Sequence, residues 1–207
     1  MPDEPATGEG EDTGELALFP LNVVLFPGGP LPLRIFEPRY VDLVRNCMRT
    51  QTPFGVVQLL SGAEAGVEPG VATETAPVGT SARIVDFFPL EDGLLGIYCL
   101  GDRRFRIERR WQQADGLHRA AVRWLGSERG VALPAEYRHL GALMQRLLPR
   151  LGELYEAVEP HADEAGWVGY RLAEILPVAL AEKQAWLELT DPLERLAQLA
   201  PLIRRDA

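Results

Sequence analysis

The chain has 207 residues, 46% hydrophobic and 25% charged, a composition that fills a core without help from disulfides or a structural metal. Thirty acidic against 21 basic residues give a formal charge of −9, which argues against a protein that grips nucleic acid or an anionic membrane through net charge. Much of that excess sits at one end, because residues 1–15 hold Asp3, Glu4, Glu9, Glu11, Asp12 and Glu15 with no base, leaving 24 acids against 21 bases elsewhere.

Residues 1–15 combine acids with Gly and Pro and read as a disordered acidic tail. They lack the basic and apolar regions of a secretory signal, so a cytoplasmic protein is expected. Leu16 to Leu33 carries no charge, but Pro20, Pro27, Pro30, Pro32 and Gly28-Gly29 rule out a spanning helix there. Apolar stretches at 16–26, 31–36, 54–60, 78–89, 94–100, 103–111 and 117–125 predict strands. Phe105 and Ile107 alternate with Arg104, Arg106 and Glu108, the two-residue period of a half-buried strand. Asp92-Gly93 suits a type I′ hairpin turn. One helix interrupts these strands, opened by Pro38 and carrying Tyr40, Leu43, Val44 and Cys47 on one face. Residues 61–76 are small and polar and read as a surface loop.

Past residue 130 the period becomes 3.6. Leu140, Leu143, Met144, Leu147, Leu148, Leu151, Leu154 and Tyr155 form an apolar stripe, broken or kinked at Pro149. Further helices are predicted near 164–176 and 180–188, and Asp191-Pro192-Leu193-Glu194 supplies a cap, a first-turn proline and an acid for another. The expected division is therefore a tail over 1–15, a β-rich part over 16–127 and a helical bundle over 128–207.

Catalytic chemistry is mostly excluded by composition. Lys183 is the single lysine and follows Glu182, so no phosphate-cradling G-x-x-x-x-G-K-[ST] loop exists. A Ser–Lys pair is limited to Lys183 with Ser61, Ser81 or Ser127, none in an elbow motif. His118, His139 and His161 lack metal-pair spacing, Cys47 and Cys99 read as buried reduced thiols, and no cofactor is expected. The densest charge feature is Arg103, Arg104, Arg106, Arg109 and Arg110 within eight residues; Arg104, Arg106 and Arg110 would share a strand face able to contact an anion. A solvated outer face accounts for the same pattern.

The segment LALFPLNVVLFPGGPLPLRIFEPRYVDLV, 16–44, resembles the N-terminal substrate-recognition domain of the Lon ATP-dependent proteases. It holds, in order, that family's L-F-P-L strand, V-L-F-P-G turn and L-x-I-F-E-x-R-Y entry into a helix. VGTSARIVDFFPLEDGLLGIYCLGDRRFRI, 78–107, and LAEKQAWLELTDPLERLAQLAPLI, 180–203, resemble its hairpin and its closing bundle. The resemblance implies an α+β fold, with a PUA-like antiparallel β pseudo-barrel, one inserted helix and a C-terminal helical bundle. It implies a non-catalytic module that binds exposed apolar or unfolded polypeptide, as an adaptor or a partner of a protease or chaperone component. The candidate contact residues are Phe26 and Pro27 in the Pro/Gly turn, Phe36, and the motif residues Glu37, Arg39 and Tyr40. Glu37 and Arg39 are expected as struts between barrel and helix, with Tyr40 packed beside them. Trp124, Trp167 and Trp186 are expected to cement the two halves or line a groove. RNA or nucleotide binding through Arg103–Arg110 is the alternative. A ligand pocket of the cereblon kind ranks below both, since the paired C-x-x-C module is missing.

Overall fold

Among the described residues, alternating apolar residues build seven strands, β1 (Thr13–Leu21), β2 (Pro30–Ile35), β3 (Phe54–Ser61), β4 (Glu74–Thr75), β5 (Val78–Pro89), β6 (Leu95–Gln112) and β7 (His118–Trp124). The computed structural model describes residues 12–62, 73–91, 93–128 and 130–203. Most of the expected acidic tail, the centre of the expected 61–76 loop and Asp92 lie outside the described residues. The helix α1 (Pro38–Thr50) starts at its proline and buries Tyr40, Leu43, Val44 and Cys47, the face its spacing predicts.

The strand order β1-β7-β6-β5-β3 returns to β1, because β1 also pairs with β3, so these five strands form a closed ring. All pairings are antiparallel except β1 with β3, which is parallel and joined by a crossover containing β2 and α1. β2 adds to the outer half of β6, giving a three-stranded projection β2-β6-β5 beyond the ring. Two predicted strands, 94–100 and 103–111, are one continuous strand. Gly101 lies where they meet, since a Cβ there would stand 2.2 Å from the Phe26 carbonyl. The hairpin from β5 to β6 is present: Leu90 N–H donates to Leu94 O and Gly93 N–H to Leu90 O, both at 2.9 Å, and Gly93 has φ 80°.

The helical part contains α2 (Arg138–Leu147), α3 (Ala165–Ile175), α4 (Leu180–Glu188) and α5 (Pro192–Leu199). Pro149 lies inside a 3₁₀ turn at Leu148–Arg150, so α2 stops at Leu147 and the apolar stripe does not continue as one helix. Leu154 is left exposed in a later turn. At α5 the Asp191 carboxylate accepts the Leu193 N–H at 2.8 Å.

Three cores follow. Leu16, Leu18, Val57, Phe105, Ala120 and Val122 fill the ring. Phe19, Tyr40, Val44, Phe54, Ile97 and Cys99 pack its outside beneath α1. A third core joins the helices and receives Val24, Phe26 and Val78 from the β-rich part, so the two parts share buried surface.

Candidate functional site

The Pro/Gly turn seals the junction between sheet and helices. Phe26 is fully buried with its ring centroid 5.8 Å from that of Tyr170 in α3. Gly28 N–H donates to Gly101 O at 2.7 Å and Gly101 N–H to Gly29 O at 2.8 Å, while the Pro27 carbonyl accepts Arg171 Nη2 at 2.9 Å. Phe26 is therefore core, which corrects its expected place on a contact surface: it is the largest apolar side chain the turn could use to close the junction.

Glu37 and Arg39 form an ion pair at 2.7 Å, and Arg39 Nη1 donates to Gly116 O at 3.2 Å, tying the entry of α1 to the loop before β7. Tyr40 stacks on Phe19 with centroids 3.8 Å apart, and burial pushes its hydroxyl up to about 12. These three residues brace the fold. Of the six polypeptide-contact candidates, Phe36 alone presents a large ring to solvent, at 53% exposure.

Phe36 follows the end row of the β2-β6-β5 projection, with Phe88 and Phe87 one and two rows back and Val85 further in at the bulge between Ile84 and Asp86; these three were not singled out in the sequence. Val85, Phe87 and Phe88 are all exposed, Phe87 at 57% and Phe88 at 40%. Phe88 shares a row with Gly96 and Arg34, and Phe87 a row with Ile97 and Leu33, so the two rings occupy opposite faces. The available signal was Asp86-Phe87-Phe88-Pro89 itself: in a strand, two adjacent aromatics cannot both face one core.

Both edges of this projection withhold backbone donors at several outward positions. Gly101 bonding to Gly29 fixes the ladder so that Pro30 and Pro32 of β2 occupy outward backbone positions, where neither has an N–H to offer. On β5 the Leu90–Leu94 bond leaves Phe87 and Pro89 outward. The Phe87 N–H is taken by Asp86 Oδ1 at 2.8 Å, and Pro89 has none.

The arginine-rich strand differs from expectation. Arg104 is buried, with Nη2 2.7 Å from Glu128 Oε1 and Nη1 donating to Leu187 O at 2.7 Å and also to Leu189 O. Arg195 meets the same carboxylate with both terminal nitrogens, at 2.6 and 3.0 Å, and both guanidiniums lie against Tyr170. Arg104 is thus an internal strut between β6 and the end of α4. A bulge between Ile107 and Arg109 then shifts the alternation, so Arg110 and Arg106 fall on opposite faces, and Arg110 donates to Thr73 O and Thr75 Oγ1. The expected face of Arg104, Arg106 and Arg110 does not exist.

Lys183 donates to Glu174 O at 2.6 Å and Ser81 to Arg103 O at 3.1 Å, separate engagements that leave no Ser81–Lys183 pair. Glu174 is a largely buried acid, reached by Arg171 at 3.0 Å and by the Tyr155 hydroxyl at 2.5 Å; burial raises its carboxyl above the ordinary value. Trp167 and Trp186 lie in the helical core, and Trp124 meets Phe105 edge-on from the ring side. Burial also lifts the Cys99 thiol to about 12 and raises that of Cys47. Among the described residues no group of three or more His, Cys, Asp and Glu is placed to hold a metal ion, and no helix is long and apolar enough to cross a membrane.

The family model of the ATP-dependent protease La (LON) substrate-binding domain matches residues 15–205. Lon protease 2 of Myxococcus xanthus is 29% identical over 196 residues, covering 92% of this chain and 23% of that protein. The chain spans about a quarter of the length of the curated relatives it matches. The crystal structure of a Lon N-terminal domain protein from Xanthomonas campestris superposes with a TM-score of 0.73 at 37% identity, covering 92% of this chain and 99% of that one. The N-terminal domain of Mycobacterium avium complex Lon protease shares the fold, with a TM-score of 0.61 at 16% identity over 91% of this chain and 97% of that one. The strands, the inserted helix and the closing bundle thus fall within one matched unit, and the chain belongs to the Lon substrate-binding domain family.

Proposed function

We propose that this chain recognises exposed apolar segments of unfolded polypeptide and performs no chemistry on them, serving as an adaptor in protein quality control. The observation that carries this reading is the aromatic tip of Phe36, Phe87 and Phe88 with Val85, large apolar side chains held in solvent by an ordered sheet. The domain is read as a PUA-like pseudo-barrel over 16–127 with a helical bundle over 128–207. Blocked edges favour contact through side chains over pairing as an added strand. Large apolar rings contribute contact area at little conformational cost, which suits a surface meeting many different sequences.

The test is photo-crosslinking with a denatured model protein, comparing wild type with a Phe87→Ser, Phe88→Ser double variant. Labels should map to residues 85–88 and Phe36 in the wild type and fall several-fold in the variant. Equal labelling of both proteins, or labels placed only on the helical part, would overturn the assignment.

A further inference from the structure

The two rings of the aromatic tip face different neighbourhoods. From Leu95 to Leu100, β6 pairs with β2 without interruption, so Gly96, Tyr98 and Leu100 share one face and Ile97 and Cys99 the other. Ile97 and Cys99 lie in the core beneath α1, while Leu100 packs against the helical core. Phe87, paired with Ile97, therefore stands on the α1 side, and Phe88, paired with Gly96, on the helical side. A Cβ at Gly96 would stand 2.3 Å from Phe88 Cε2, so the Phe88 ring lies across that glycine.

A second apolar residue meets the helical side of the projection. The turn Glu153–Tyr155 lies beside β2 and buries no residue fully, and its Leu154 is exposed. Polar contacts hold this turn in place. The Tyr98 hydroxyl donates to Leu154 O, and the Tyr155 hydroxyl to Glu174. Glu174 pairs in turn with Arg171, which also donates to Pro27 O. Tyr98 links this turn to the tip, because its row follows that of Phe88 on the same face, about 7–8 Å away along the diagonal. Pro32, exposed on β2, shares the row of Tyr98.

We propose that Phe88, Tyr98, Pro32 and Leu154 form one strip that holds a single extended segment of unfolded polypeptide, with Leu154 as its second anchor. The inference rests on the reading of the aromatic tip as a polypeptide contact and gives that contact a side and a direction. Accessible apolar side chains in line on an open face suit a chain passing through, whereas a small ligand needs a concave pocket. Arg34 and Asp86 flank Phe88 on this face, one of each sign, which favours segments of no particular charge. Pro30 and Pro32 lack the N–H groups that a second copy of this chain would need to pair with β2 as an added strand. Phe87, on the other side of the sheet, stands outside the strip.

The test measures fluorescence anisotropy of fluorescein-labelled lactalbumin, kept unfolded by reduction and carboxymethylation. It is titrated with wild type, with Phe87→Ser, Phe88→Ser and Leu154→Ser, and with the two double variants that join Leu154→Ser to either phenylalanine change. Leu154→Ser should weaken binding at least about three-fold, through lost apolar contact alone. The losses from Phe88→Ser and Leu154→Ser should combine to less than their product, because one segment meets both side chains. Those from Phe87→Ser and Leu154→Ser should multiply. Wild-type affinity of Leu154→Ser would overturn the strip, as would independent losses at Phe88 and Leu154. If Phe88→Ser alone still weakens binding, the polypeptide reading of the tip survives that failure. Wild-type affinity of both Phe87→Ser and Phe88→Ser would remove the reading and the strip together. All three sites are exposed, so the variants should fold, and thermal melts verify it.

Discussion

Arg104 and Arg106 stand two residues apart on β6 and belong to different worlds. Arg104 is enclosed, shares Glu128 with Arg195 and holds the last carbonyls of α4, whereas Arg106 lies on the outer face among other arginines. The same residue type acts in one place as a fixed internal connection and in the other as part of a charge field. The difference comes from what each carboxylate offers. Glu128 is itself buried and receives two guanidiniums and so cannot be lost without stranding both, while Glu15 and Glu108, which pair with Arg119 and Arg123, are solvated and replaceable by water.

The sharpest break of this contrast is Glu128→Ala. Leaving Arg104 and Arg195 buried without their acid should cost about 3–5 kcal/mol, measured by urea unfolding. If the loss is below about 1 kcal/mol, the pair is solvated in solution and the contrast with the outer arginines fails. Phe26→Ala should follow at about 3–4 kcal/mol, because it opens a cavity at the sheet-helix junction. Labelling of denatured substrate should persist wherever that variant remains folded, since the ring is core. The Phe87→Ser, Phe88→Ser pair should change stability by only about 0.5 kcal/mol per site while lowering substrate labelling. Arg109→Gln should sit within about 0.5 kcal/mol of wild type.

Two buried groups give opposite slopes with pH. Glu174 is raised by burial, so the folded chain holds its proton more tightly than the unfolded one. Its contribution to stability is present below the ordinary value of 4.5 and is lost as pH rises through the folded value. His118 is lowered by burial, helped by Arg110 and Arg39, so its contribution is present above 6.5 and is lost as pH falls through its folded value. Unfolding free energies of Glu174→Gln and His118→Gln across pH 4 to 8 should each remove one of these slopes. A variant that keeps its slope locates the titration elsewhere.

Local elements were legible where one signal decided them. The helix from Pro192 follows from its cap, its proline and its spacing, and α1 from Pro38 and its apolar face. The single run of β6 was hidden because Gly101-Asp102 looks like a turn, whereas the glycine is needed for the close approach of the Phe26 carbonyl. Which arginines share a face depended on one extra residue between Ile107 and Arg109, and strict alternation cannot reveal such a residue. Phe26 and Phe36 were equally apolar in sequence; burial of one and exposure of the other follow from long-range packing on Tyr170. The motif residues Glu37, Arg39 and Tyr40 came from the resemblance; the Glu37–Arg39 pair, the Arg39 bond to Gly116 O and the stacking of Tyr40 on Phe19 are contacts that only the fold brings together.

Prolines at outward positions of β2 and β5 have one more consequence. Amyloid growth requires an exposed edge that donates and accepts along its length, so that each arriving strand finds a first rung. A surface that gathers sticky chains raises their local concentration and would be the natural seed for such growth. Here the edges beside the aromatic tip lack donors at Pro30, Pro32 and Pro89, and Asp86 occupies the one at Phe87. An aromatic tip flanked in this way presents its rings to solvent while withholding these rungs of a template.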